Sequence, residues 1–300
     1  MPARVASALF QTKQANLMTN LDFSSSSHTN VPATQSLPAN FMYVDVLEVV
    51  TLGPNFLRVT LKGEDMSRYG DDAIHFRLVQ PTVKGDAIWP SASANGSIVW
   101  PDGPQAPHKP VYTARTVDHV TNTLVTDIFV HDGGRTTAWA QVILEGGQHR
   151  RTIGLAGPSG GGLMTASRVL MASDETGFPA AARILDALPK DAIGDVLLEA
   201  ENGAACDYPI YAPEGITITW LTRARGACLA DAALAALPHH PQSNTWFAGQ
   251  GEQASRLRDN PKAPRRKTTD LPRPRPRRPY PLPHVVSVSI TATEHYQPAN

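Results

Sequence analysis

The chain has 300 residues, 41% hydrophobic and 18% charged, with 27 Lys and Arg against 27 Asp and Glu. That length accommodates two ordinary domains with separate cores, and the zero net charge excludes a general attraction to nucleic acid or to an anionic membrane. Cys206 and Cys228 are too few for a disulfide framework and no apolar run reaches membrane-spanning length, so the expectation is a cytoplasmic, monomeric protein with free thiols and no membrane insertion.

Residues 1–38 carry Ser24-Ser25-Ser26-Ser27 and scattered Asn, Thr and Pro without periodicity, the composition of a disordered leader. From Phe41 the pattern becomes β-like. Leu57, Val59 and Leu61 alternate with Arg58, Thr60 and Lys62, and Gly63 ends the run. Further strands are expected at 73–79, 97–100, 111–117, 124–131 and 151–155, with one short helix beginning near Thr136 and carrying Trp139 and Val142. Short strands separated by Gly, Pro and Asp turns predict an antiparallel β-barrel over 39–156.

After Gly157 the rhythm changes. Strands at 168–172, 195–200, 216–221 and 245–248 alternate with helices at 178–188, 227–237 and 252–258. This predicts an α/β domain with a parallel sheet over 157–260. Past Asn260 the pattern stops. Eight Lys or Arg lie between Lys262 and Arg278 with one acidic residue, Asp270, and the run Pro272-Arg273-Pro274-Arg275-Pro276-Arg277-Arg278-Pro279 cannot be helical. Residues 261–300 are therefore expected to be a Pro/Arg-rich tail, disordered or the product of a reading-frame change.

Four segments carry chemistry. Tyr112-Thr113-Ala114-Arg115, read as a strand, turns Tyr112 and Ala114 to one face and Thr113 and Arg115 to the other. One face offers a ring for stacking, the other a hydroxyl and a fixed cation for phosphate. His131-Asp132-Gly133-Gly134-Arg135-Thr136-Thr137-Ala138 places glycines and hydroxyls at a helix start, where free amides bind anions, although an ordinary threonine-capped turn has the same sequence. Gly157-Pro158-Ser159-Gly160-Gly161-Gly162 permits close backbone approach to a ligand, and it is neither a P-loop nor a GxGxxG fingerprint. Asp174-Glu175-Thr176 and Arg223 fall at the carboxyl ends of parallel strands, where α/β folds bind ligands; simple helix capping and a solvated arginine account for them equally well.

Taken in order, and with Trp246-Phe247-Ala248-Gly249 before a last helix bearing Arg256 and Arg258, these motifs resemble the siderophore-interacting proteins. That family comprises FAD-dependent ferric-siderophore reductases of the ferredoxin–NADP reductase-like superfamily. The resemblance covers 40–258 and implies an FAD-binding barrel followed by an NAD(P)H-binding domain. It implies that Tyr112 stacks near the flavin, Thr113 bonds the flavin or its ribityl chain, and Arg115 holds the charged portion. His131 would border the cofactor, and Gly134, Thr137 and Ala138 would bind its phosphate. Gly157, Ser159 and Gly160 would line the nicotinamide channel with Asp174, Glu175 and Thr176 beside it, and Arg223 would meet the adenosine phosphate. NADPH or NADH would be the reductant and a ferric siderophore the substrate. No catalytic side chain and no resident metal are implied. The chain departs from the family pattern at Pro110, where an arginine is usual, at Gln250, where glutamate is usual, and in lacking a Tyr-Trp-Arg ending. Two alternatives remain: a flavin reductase with another acceptor, or a degenerate member that binds flavin or siderophore without turnover.

Overall fold

The computed structural model describes residues 37–80, 88–147, 151–259 and 285–290. The expected leader, apart from Leu37 and Pro38, and the Arg/Pro run lie outside the described residues. The chain divides into two compact units, Met1–Gly160 and Gly161–Asn300.

The first unit contains strands β1 (Phe41–Leu52), β2 (Phe56–Gly63), β3 (His75–Val79), β4 (Ser91–Ala92), β5 (Ile98–Val99), β6 (Val111–Thr113), β7 (Thr116–Asp118), β8 (Thr123–Phe129) and β9 (Thr152–Ser159), with helix α1 (Arg135–Leu144) between the last two. Seven of them form one antiparallel sheet in the order β6-β3-β9-β1-β2-β8-β7, while β4 and β5 pair separately. The alternation anticipated in β2 is present: Leu57, Val59 and Leu61 are buried and Lys62 is exposed. In β1 a register shift between Val46 and Glu48 changes the phase, so that Val44, Val46 and Val49 all face inward and Leu47 is left outside. Phe76, Leu78, Leu124, Ile128, Ile153 and Leu155 complete the core, and α1 packs Trp139, Ala140 and Ile143 onto it.

The strand anticipated over 111–117 is broken at Ala114–Arg115. Strands β6 and β7 are opposite edges of the sheet, yet only these two residues separate them. A flat seven-stranded sheet would hold its edges about 29 Å apart, whereas three Cα steps span at most about 11 Å. The sheet must therefore roll until its edges meet. At this corner Ala114 N donates to Ile74 O at 2.8 Å, beside β3, and Arg115 N donates to Val125 O at 2.8 Å on β8. Among the described residues no ladder joins β6 to β7, so the anticipated barrel is a rolled sheet joined at a corner. The same break ends the simple two-face alternation: Thr113 and Ala114 are both buried.

The second unit contains β10 (Arg168–Asp174), α2 (Phe178–Ala187), β11 (Ile193–Ala200), β12 (Gly215–Thr222), α3 (Leu229–Ala236), β13 (Asn244–Gln250), α4 (Gly251–Arg258) and β14 (Val285–Ile290). The sheet order is β12-β11-β10-β13-β14, parallel except for β14. Helices α3 and α4 cover Ala172, Leu197 and Phe247 with Leu229, Ala233, Ala254 and Leu257. Strand β14 corrects the expectation of a wholly unstructured tail. Its run Val285-Val286-Ser287-Val288-Ser289-Ile290 is rich in β-branched residues and extends the ladder antiparallel to β13, from Gln250↔Val285 to Thr245↔Ile290.

Asp127 on β8 has a fully buried side chain and receives Arg58 from β2 through two bonds, 2.7 and 2.8 Å. Arg58→Met should lower the unfolding free energy by about 3 kcal/mol by leaving a buried carboxylate without its guanidinium. Adding Asp127→Leu should recover most of that loss in urea titrations.

Candidate functional site

The first unit gathers its expected site residues into two groups, with Tyr112 between them. At the start of α1 the N-cap is Gly134, and no side chain caps the helix. Neither threonine takes that role: Thr136 Oγ1 donates to Gln80 Oε1 at 3.2 Å and Thr137 Oγ1 to Phe129 O at 3.4 Å. The first-turn amides are thus left for another acceptor. A Cβ on Gly134 would lie 2.8 Å from Thr137 Oγ1 and 3.0 Å from His131 Nε2, so glycine keeps a cradle open between these two residues. His131 is exposed and stacks on Phe129 at 6.2 Å. Ala138 N donates to Gly134 O at 2.9 Å and Ala138 is buried, so its own amide closes the helix.

The second group centres on His75, which belongs to no sequence motif. In β3 it pairs with Thr113 on one side and Ser159 on the other. Its Nδ1 is 3.3 Å from Thr113 Oγ1, and Ser159 Oγ donates to His75 O at 3.5 Å. Gly160, at φ +79°, passes so close that a Cβ there would lie 2.7 Å from His75 Cδ2. Gly157, Ser159 and Gly160 thus belong with the antiparallel sheet through β9, and the first unit continues to Gly160 rather than ending at 156.

Tyr112 connects the groups. Its half-buried ring packs on the core of the rolled sheet, and its hydroxyl lies beside the Thr136 side chain in the first turn of α1. Burial pushes that phenol up to about 12. Arg115, partly exposed, follows at the corner. An uncapped helix start, a glycine-lined cradle and an aromatic ring beside the same turn fit a ring-bearing phosphate ester such as FAD.

In the second unit Asp174, Glu175 and Thr176 lie at the end of β10. Asp174 caps the next turn, accepting from Thr176 N at 3.0 Å and from the Thr176 hydroxyl. Burial pushes its carboxyl up, offset in part by Thr176. Arg223 has partners that the sequence did not reveal. Its guanidinium binds Glu175, meets Glu199 Oε1 at 2.7 Å and approaches Glu201 Oε2 at 3.5 Å. Glu199 also accepts from Leu229 N at 2.6 Å, and Glu175 from Glu201 N at 2.9 Å. Burial opposes the arginine's charge, but the hydrogen bonds it donates to Glu175 and Glu199 outweigh that and hold the guanidinium above its ordinary value. The phosphate role expected for Arg223 does not fit this cage, because a phosphate would meet more carboxylates than cations. Arg223 instead ties the carboxyl ends of β10, β11 and β12 together.

Among the described residues no cluster of three His, Cys, Asp or Glu could hold a metal, and no helix is long and apolar enough to cross a membrane. Burial, with Arg135 and Lys109 nearby, lowers His108 from 6.5 to about 4. The folded protein keeps this imidazole neutral while the unfolded chain protonates it, so stability should fall as pH drops from about 6.5 towards about 4. His108→Leu should flatten that part of the profile when urea midpoints are compared at about pH 7 and about pH 4.5.

A family model described as the siderophore-interacting FAD-binding domain matches residues 45–162, and one described as siderophore-interacting protein matches 166–267. The chain is 30% identical over 229 residues to the NADPH-dependent ferric-chelate reductase of Escherichia coli, covering 72% of this chain and 85% of that protein. It is 31% identical over 188 residues to the ferric vibriobactin reductase ViuB of Vibrio cholerae, covering 60% of this chain and 66% of that protein. A siderophore utilization protein from T. fusca superposes with a TM-score of 0.58 at 29% identity, over 71% of this chain and 82% of that one. With the two family models matched in succession along most of its length, the chain belongs to the siderophore-interacting protein family.

Proposed function

We propose that this protein is an FAD-dependent NAD(P)H:ferric-siderophore oxidoreductase acting in the cytoplasm as a monomer. The observation that carries the reading is the placement of Tyr112 beside the uncapped start of α1, where Gly134 keeps the backbone open. A match to an FAD-binding domain over the same residues supports it.

In this reading residues 39–160 hold FAD and 161–260 receive NADPH or NADH. Bound FAD supplies the link between a two-electron donor and two one-electron ferric acceptors. Tyr112 presents its ring to the flavin, with its hydroxyl on the side of Thr136. Thr113, with His75 behind it, meets the flavin edge or ribityl chain, while Arg115 answers the charged portion. The first-turn amides of α1, with His131, Gly134 and Thr137 around them, receive the phosphates. Gly157, Ser159 and Gly160 keep the backbone low beside His75 in the first unit, and within the second unit Asp174, Glu175 and Thr176 serve the dinucleotide. No side chain acts as nucleophile or general base. The siderophore's iron is substrate: each Fe(III) takes one electron, and the resulting Fe(II) is held more weakly by hard oxygen donors.

A second reading, flavin binding without turnover, is favoured by the caging of Arg223, which removes one expected cation from the dinucleotide's phosphates. Anaerobic addition of NADPH or NADH to the FAD-loaded protein separates the two. Reductase activity predicts bleaching of the visible flavin band, its return on adding a ferric siderophore, and Fe(II) captured by a ferrous-selective chelator. A bound flavin band unchanged by both reductants would select the second reading.

A further inference from the structure

Gln80 follows β3 and is buried, 7% exposed. Its backbone is fixed by an isolated bridge: Gln80 N donates to His108 O at 2.7 Å and His108 N donates to Gln80 O at 2.8 Å. Its side-chain Oε1 accepts from Thr136 Oγ1 at 3.2 Å, and Thr136 lies beside the hydroxyl of Tyr112. The other end of the amide, Nε2, is buried and has no hydrogen-bond partner among the described residues. A buried amide with one end unpaired raises the free energy of the empty protein, and a ligand that pairs it recovers that cost on binding.

The position of this group restricts what can pair it. Gln80 touches the first turn of α1 through Thr136 and is one hydroxyl removed from Tyr112, so it sits where the proposed phosphate cradle and the proposed ring platform join. It belongs to neither motif, and its burial and unpaired end are independent of the helix start. Because burial pushes the Tyr112 phenol up to about 12, Tyr112 stays neutral across the neutral range and brings no charge beside Thr136.

We propose that Gln80 is a cofactor-positioning residue: one end of its amide holds the Thr136 hydroxyl beside Tyr112, and the other donates a hydrogen bond to an oxygen of FAD between the flavin ring and the phosphates. This rests on the FAD-dependent reading above. A purely structural Gln80 would need only its acceptor end, which bonds Thr136. A positioning Gln80 needs the donor as well. Gln80→Glu separates these roles, since the carboxylate keeps the acceptor and loses the N–H, and lowering the pH restores an O–H donor by protonating it.

The test titrates the full apo chain with FAD, following quenching of flavin fluorescence, the visible circular dichroism of the bound flavin and the unfolding midpoint of the empty protein. Gln80→Glu should weaken FAD binding roughly tenfold at neutral pH, with affinity recovering as the pH falls into the carboxyl range. Gln80→Leu should weaken it by at least as much and change the visible dichroism, with an unfolding midpoint for the empty protein no lower than that of the natural chain. Should Gln80→Leu fail to fold, Gln80→Glu and its pH recovery decide alone. Binding by Gln80→Glu within about twofold of the natural chain at every pH would overturn the inference while leaving the FAD reading intact. Failure of the natural chain to bind FAD would overturn both.

Discussion

The first unit depends on a topological constraint at Ala114–Arg115. Two residues must carry the chain from one edge of a seven-stranded sheet to the other, and only a rolled sheet allows it. The backbone bonds of Ala114 to Ile74 and of Arg115 to Val125 hold the corner on both sides. Rolling encloses the core formed by Val59, Leu61, Phe76, Leu78 and Leu155, onto which α1 docks Trp139. It also brings Tyr112 to the first turn of α1, although 24 positions separate Tyr112 from Thr136 in the chain. The candidate cofactor platform is thus a consequence of how the sheet closes.

The second unit is organised differently. Its strands are parallel, and their carboxyl ends carry three glutamates that would repel one another without a cation. Arg223 supplies it, joining Glu175 after β10 to Glu199 and Glu201 around the end of β11. Glu199 extends the link to the start of α3 through Leu229 N. An arginine so engaged holds the binding face of the sheet in place rather than reaching outward for a ligand. The cations that meet an anionic dinucleotide must come from elsewhere in the chain.

Much of this was legible in the sequence because it rests on local chemistry. The alternation Leu57, Val59, Leu61 marks β2, and the β-then-α rhythm after Arg168 marks the parallel unit. The Gly133-Gly134 pair marks the start of α1. What the sequence concealed depends on pairing between distant segments. His75 carries no motif and gains its position only when β3 pairs with β6 and β9. Gln80 reads as an ordinary polar residue before Pro81 until the fold sets it against Thr136. The partners of Arg223 lie 22 to 48 residues upstream, beyond any local spacing rule. The tail's β-branched run, Val285–Ile290, was obscured by the Arg/Pro composition before it.

The central claim is that the corner of the rolled sheet and the start of α1 form one cofactor site. It is tested most directly by titrating the natural chain and Gly134→Val with FAD, while recording the unfolding midpoint of each empty protein. A side chain at Gly134 fills the cradle between Thr137 and His131. The account predicts tight binding with quenched flavin fluorescence in the natural chain, and a loss of at least roughly tenfold in affinity for Gly134→Val at a temperature where its empty form is still folded. Equal FAD affinity in the two proteins would contradict it.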